Sequence, residues 1–207
     1  MKEQHSIKKI NGHEIFFREV GEGRPILLIP PFPSPSLVFD PIIPTLAKNR
    51  KVIAFDLPGF AGKSKLDPDF VISVENYTNL IAQIIHRYGY SDNEYDLLGY
   101  STGGFFLQNG IVKKILNPDK TIFISTSYKG RFIVWRNLEK IFLKLVTAVD
   151  KFSPLLTSLI GRLYLILVAL VDFKNKKDSL KKNLSFKKTI KEYSTLNVSA
   201  CLKLINS

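Results

Sequence analysis

The chain has 207 residues, 45% of them hydrophobic, enough to bury a sizeable core in one domain and too many for a disordered segment. Its one cysteine, Cys201, and three scattered histidines, His5, His13 and His86, exclude an internal disulfide and a zinc cluster; no metal and no organic cofactor is expected. The formal net charge of +12 does not point to nucleic acid, because the basic residues carry no repeated aromatic interleaving and no nucleic-acid module can be read.

The N-terminus, Met1-Lys2-Glu3-Gln4-His5, is polar where a secretory signal needs an apolar stretch, so a cytoplasmic location is expected. Two leading strands fall around Ile7 to Ile10 and Glu14 to Glu19. Strands and helices then alternate: strands at Ile26 to Ile29, Val52 to Phe55, Tyr95 to Leu98 and Thr121 to Ser125, helices at Leu37 to Lys48, Val74 to Tyr88 and Thr102 to Leu116. Alternation of this kind predicts an α/β fold with a mostly parallel sheet covered by helices on both faces. The ligand crevice of such a sheet lies at the carboxyl ends of the strands.

The most informative run is Leu97-Leu98-Gly99-Tyr100-Ser101-Thr102-Gly103-Gly104. Gly-x-Ser-x-Gly between a strand and a helix mounts a serine at the tip of a sharp turn, where side chains two residues to either side would strike neighbouring backbone. Gly99 and Gly103 leave that space free, which marks Ser101 as a candidate nucleophile. Two further loops follow predicted strands: Pro30-Pro31-Phe32-Pro33, and Asp56-Leu57-Pro58-Gly59-Phe60-Ala61-Gly62-Lys63-Ser64.

These three motifs, in this order from about Ile7 to about Thr126, resemble the α/β-hydrolase superfamily, whose pattern reads strand, His-Gly-x-Pro loop, helix, strand, Asp-x-Pro-Gly-x-Gly-x-Ser loop, helix, strand, Gly-x-Ser-x-Gly. The resemblance implies a serine hydrolase of esterase or lipase type acting on a small, lipophilic ester or related acyl compound. It implies backbone N–H groups of Phe32 and Thr102 as the oxyanion hole, and Asp56 and Gly59 as parts of a structural loop. Two departures stand out. Pro30-Pro31 replaces the usual His-Gly, so that a ring fixes φ where the family has a flexible backbone. Ala61 replaces one glycine of the second loop, with Gly62 after it.

A serine hydroxyl needs a base to remove its proton, and the family's order is serine, acid, histidine. No histidine follows Ser101, and Ser125-Thr126-Ser127-Tyr128-Lys129-Gly130 holds no carboxylate. The acid and histidine of the triad are therefore absent from this chain, which reads as an incomplete hydrolase with its last strands missing and little activity of its own. The alternative is a non-catalytic binding or interaction protein that keeps the hydrolase pocket.

Residues 1–130 read as the N-terminal part of the core. Residues 131–207, with 15 Lys+Arg against 5 Asp+Glu, resemble in position a helical cap over the active site. The apolar run Phe152 to Val171 is interrupted by Arg162 and reads as a cap helix rather than a membrane span. The lysine pairs after it admit peripheral contact with an anionic membrane.

Overall fold

A computed structural model describes residues 2–126. The predicted cap, the Phe152 to Val171 run and Cys201 lie outside the described residues. Six strands form one sheet: β1 (Gln4–Ile10), β2 (His13–Val20), β3 (Arg24–Ile29), β4 (Arg50–Phe55), β5 (Asp96–Tyr100) and β6 (Lys120–Ile124), in the order β1-β2-β4-β3-β5-β6. The β1–β2 hairpin pairs antiparallel, and β2 pairs antiparallel with β4; β4, β3, β5 and β6 are parallel to one another. This is the mixed arrangement common in α/β folds, an antiparallel edge on a parallel sheet.

The central strands are apolar on both faces, as a sheet covered on both sides requires. On one face Leu27, Ile29, Ile53, Phe55 and Leu97 form a core with the helices α2 (Val74–Arg87) and α3 (Thr102–Val112). On the other, Ile26, Leu28, Val52, Ala54 and Leu98 meet a 3-10 turn at Ser36–Phe39 and the single helical turn α1 (Ile43–Leu46). At the amino edge of β5, buried Asp96 is held by Arg24 and Arg50 and accepts a hydrogen bond from the Lys120 N–H at 3.2 Å.

Every predicted strand is present, and α2 begins where Ser73 caps it by accepting a hydrogen bond from the Asn76 N–H at 3.1 Å. Two predicted helices differ. The expected helix from Leu37 to Lys48 is broken into two short turns, because Pro41 and Pro44 lack N–H donors and disfavour helical backbone in the residues before them. The expected helix from Thr102 to Leu116 stops at Val112: Lys114 adopts φ +56°, and the N–H groups of Ile115 and Leu116 both turn back to the Gly110 carbonyl. That reversal buries Leu116 against α3 and closes the helix.

Candidate active site

Because β3 lies between β4 and β5, the three loops that leave their carboxyl ends are side by side. These loops carry all three motifs.

Ser101 forms the link between β5 and α3. Its backbone has φ +50° and ψ −114°, a conformation that an L-residue adopts only under constraint. The constraint is visible on both sides. The Ser101 N–H donates to the Ile124 carbonyl at 2.8 Å, tying the turn to the end of β6, and its own carbonyl accepts the Phe105 N–H at 3.2 Å as α3 begins. A Cβ on Gly99 would lie 2.5 Å from the Gly104 Cα, and one on Gly103 would run into the carbonyl oxygens of Ile29 and Pro30, the latter at 2.7 Å. The two glycines are thus required by close backbone approach. The Ser101 hydroxyl makes no cap bond to the helix it starts, and the residue is partly exposed.

The close approach of Gly103 to Ile29 and Pro30 also brings the start of α3 against the loop that contains Phe32. That loop is closed by a hydrogen bond from the Ser34 N–H to the Pro31 carbonyl at 2.7 Å. Thr102 and Phe32, the two expected N–H donors, therefore stand on adjoining segments at the carboxyl edge, and both are partly exposed. Thr102 is also the first residue of α3, where unsatisfied N–H groups and the helix dipole favour negative charge.

Asp56 is almost fully buried, and its oxygens hold loops together. Oδ1 accepts from the Ser36 N–H at 2.7 Å and the Ser36 hydroxyl at 2.6 Å, Oδ2 accepts from the Lys63 N–H at 2.8 Å, and the Asp56 carbonyl accepts the Ser64 hydroxyl at 2.7 Å. Ser64 Oγ in turn accepts from the Phe16 N–H of β2 at 2.9 Å. Gly59 turns the loop at φ +83°. Gly62, at φ +128°, has its bare Cα against the Asp56 carboxylate, so that a Cβ there would lie 2.6 Å from Cγ. The glycine at 62 takes the close approach, which explains why an alanine is tolerated at 61.

Sequence reading did not single out the partners of this loop. Ser36 lies twenty residues from Asp56, and only the folded register unites them. Phe60, Tyr77 and Phe106 form an aromatic group beneath the loops, with Phe32 edge-on to Phe60 at 5.3 Å. The helical spacing of the apolar residues in α2 and α3 was the one available signal for Tyr77 and Phe106.

None of the three histidines approaches Ser101. His5 is on the outermost strand, half exposed, with Nε2 2.8 Å from Glu3 Oε1. His13, at the start of β2, is three strand positions from β5, roughly 14 Å at the usual spacing. It is buried; its Nδ1 accepts the Asp67 N–H at 3.0 Å, and its ring meets Phe70 edge-on at 4.6 Å. Burial holds the imidazole below its ordinary pKa despite the nearby Asp67 charge. His86, in the last turn of α2, is exposed at the opposite edge of the sheet from the serine. Each has a structural or surface setting.

A cleft of about 300 Å³ opens elsewhere, between β1, β2 and the segment from Ser36 to Pro44. Two of its acidic side chains, Glu3 and Asp40, pair with Arg18. The Arg18 guanidinium donates from Nε to Glu3 Oε1 at 2.5 Å and from Nη1 to the Ser36 carbonyl at 3.2 Å. Its Nη2 lies 2.6 Å from Asp40 Oδ1, an ion pair not aligned as a hydrogen bond. Burial pushes the Glu3 carboxyl up, but the hydrogen bonds and charges of Arg18 and His5 outweigh it and hold the group below the ordinary glutamate value. Ser101 does not line this cleft. Among the described residues no group of three or more His, Cys, Asp or Glu side chains could hold a metal ion, and no helix is long and apolar enough to cross a membrane.

Comparison with known proteins agrees with this architecture. Residues 26–175 match the profile described as "Alpha/beta hydrolase family". An uncharacterized hydrolase of Saccharomyces cerevisiae is 36% identical over 88 residues, which is 42% of this chain and 28% of that protein; the match thus spans little more than a quarter of the curated relative. A bromoperoxidase from Bacillus anthracis superposes with a TM-score of 0.70 at 19% identity, covering 98% of this chain and 73% of that one. An N-acyl homoserine lactonase crystallised with N-hexanoyl homoserine superposes with a TM-score of 0.54 at 28% identity, over 60% of this chain and 46% of the lactonase.

Proposed function

Since the chain belongs to the alpha/beta hydrolase family, we propose that it provides the nucleophile and oxyanion hole of a serine hydrolase acting on a lipophilic ester, lactone or related acyl compound. The observation that carries this is the backbone of Ser101, held at φ +50° by steric contacts that admit only glycine at 99 and 103. A turn strained at one residue is kept where that residue has work to do. A serine there presents its hydroxyl at the edge of the sheet, beside the start of α3.

In the proposed reaction the Ser101 hydroxyl gives its proton to a base as its oxygen attacks the acyl carbon, the acyl C–O bond breaks and the alcohol portion takes that proton, and water then cleaves the acyl-serine to a carboxylic acid and the restored hydroxyl. Negative charge builds on the former carbonyl oxygen, and the N–H groups of Phe32 and Thr102 donate hydrogen bonds to it. Loss of one such donor costs about 2.7 to 4 kcal/mol of transition-state stabilisation. The acyl preference is supported by the partly exposed Phe32 ring at the site and by the lactonase likeness, that protein being one crystallised with an acyl ligand.

The base is the remaining part. His5 and His13 are engaged elsewhere, His86 is exposed in the last turn of α2, and no histidine follows Ser101, so in this reading the histidine and its acid come from outside these 207 residues. The activity of the whole hydrolase rests on both. Peripheral membrane contact through the lysine pairs between 176 and 188 and a cytoplasmic setting complete the proposal.

A fluorophosphonate probe tests it. Ser101 of the 207-residue chain should react slowly, and added imidazole should accelerate the reaction about tenfold by serving as the missing base, general-base assistance being worth about 10²-fold or more when positioned. Ser101→Ala should abolish labelling. A well-folded chain that no imidazole concentration brings to react would overturn the nucleophile and favour a binding protein with a hydrolase pocket.

A further inference from the structure

We infer that Phe60 is a positioning residue that couples the two halves of the oxyanion hole, an inference resting on the reading of Phe32 and Thr102 as its donors. The two N–H groups belong to segments far apart in sequence, and their separation must be fixed to a fraction of an ångström to grip one oxygen atom. Strand pairing alone does not do this, because both groups lie beyond the ends of their strands.

Phe60 reaches both segments. Its ring, 3% exposed, receives the Phe32 ring at 5.3 Å with the planes at 88°, an edge-to-face contact. The same ring lies 6.4 Å from Phe106, which stands one helical turn after Thr102 on the same side of α3. Tyr77 closes the group, at 5.5 Å from Phe60 and stacked at 5.2 Å on Phe106.

The backbone at Phe60 is fixed as firmly as its ring. The Phe60 N–H donates to the Leu57 carbonyl at 3.1 Å, the Ala61 N–H donates to the Pro33 carbonyl at 3.0 Å, and the Tyr77 hydroxyl donates to the Pro58 carbonyl at 2.7 Å. The loop that carries Phe60 is therefore bonded to the Phe32 loop on one side and to α2 on the other. With Pro30 and Pro31 in place of flexible residues, the Phe32 segment has little freedom of its own to settle onto a substrate. Its placement depends on what it leans against: Gly103 meets its start at Pro30, and Phe60 takes the Phe32 ring itself.

The decisive comparison is Phe60→Leu, Phe60→Tyr and Leu80→Ala, the last a buried residue of the same core cluster outside the ring contacts with Phe32. In Phe60→Leu the fluorophosphonate rate constant, measured with imidazole, should fall about 10- to 100-fold, the scale of a misplaced group, while the probe concentration for half-maximal rate changes less than twofold. Phe60→Tyr, which keeps the ring, should recover most of the rate. Leu80→Ala should lose stability without that rate loss.

The amide ¹H–¹⁵N resonances of Phe32 and Thr102 supply a readout independent of reactivity. Both should shift in Phe60→Leu and neither in Leu80→Ala. Unmoved amides, or a Phe60→Leu rate equal to that of the unsubstituted chain, would overturn the coupling. A chain that never reacts with the probe would instead sink the nucleophile reading, leaving the amide shifts to decide whether Phe60 joins the two segments.

Discussion

The carboxyl edge of the sheet and the β1–β2 hairpin are both stitched from distant parts of the chain, but by opposite means. At the nucleophile turn on the carboxyl edge, backbone meets backbone: Gly99 lies against Gly104, and Gly103 against Ile29 and Pro30. At the hairpin, side chains span the gap, with Arg18 holding Glu3 and Asp40, and Lys8 hydrogen-bonding both Glu19 and Tyr88. The first kind of contact is insensitive to salt and pH and intolerant of any added atom. The second responds to salt and pH where its charges reach solvent, as at Lys8 and Glu19. The contrast teaches that the strained turn itself is held by sterics, while charged side chains, buried Asp56 among them, fasten the segments around it.

Gly99→Val is the harshest test of that contrast. It should cost about 3 kcal/mol or more, because the opposing atoms are helix backbone and cannot move aside; urea unfolding measures it, and a loss below about 1 kcal/mol would mean that the elbow relaxes. Next comes Asp56→Asn, which turns an NH₂ group toward one of three buried donors and should cost about 2 kcal/mol. Ser101→Gly should move the other way, stabilising the fold by about 1 kcal/mol by relieving φ +50° while removing all probe labelling.

Smallest is Glu3→Gln, at about 0.5 to 1 kcal/mol near neutral pH and less in high salt. Glu3 and Glu19 are both held below the ordinary carboxylate value: burial raises each, and hydrogen bonds with Arg18 and His5, or with Lys8 and Tyr88, more than reverse it. A depressed carboxyl contributes fully above its unfolded value of 4.5, and the contribution is lost as pH falls below that through the folded value. Glu3→Gln should flatten part of this acid limb. Buried His13 acts earlier, since an imidazole that resists protonation removes stability as pH drops below 6.5. Gly99→Val should leave both limbs unchanged.

How much of this was legible beforehand follows the same division. Ser101, Gly99 and Gly103 could be read because one short run contains both the serine and the space it needs. The central strands β3, β4 and β5 could be read because burial on both faces favours apolar runs. The helix after Leu37 could not be read correctly from apolar spacing alone, since Pro41 and Pro44 outweigh it. Ser36 beneath Asp56, and Phe60 between Phe32 and Phe106, were invisible for a different reason. Their partners are distant in sequence, and neither a hydroxyl nor an aromatic ring announces at long range what it will touch.

The outer flank of β6 has a practical consequence. Among the described residues β6 pairs with β5 alone, and Ile122 and Phe123 are nearly half exposed. A fragment cut at residue 126 to simplify biochemistry would offer its copies a ready row of backbone donors and acceptors beside two large apolar side chains, and should precipitate or pair edge to edge. Expression boundaries are best set well beyond that point, with lysine or proline substitutions on β6 held in reserve as solubilising changes.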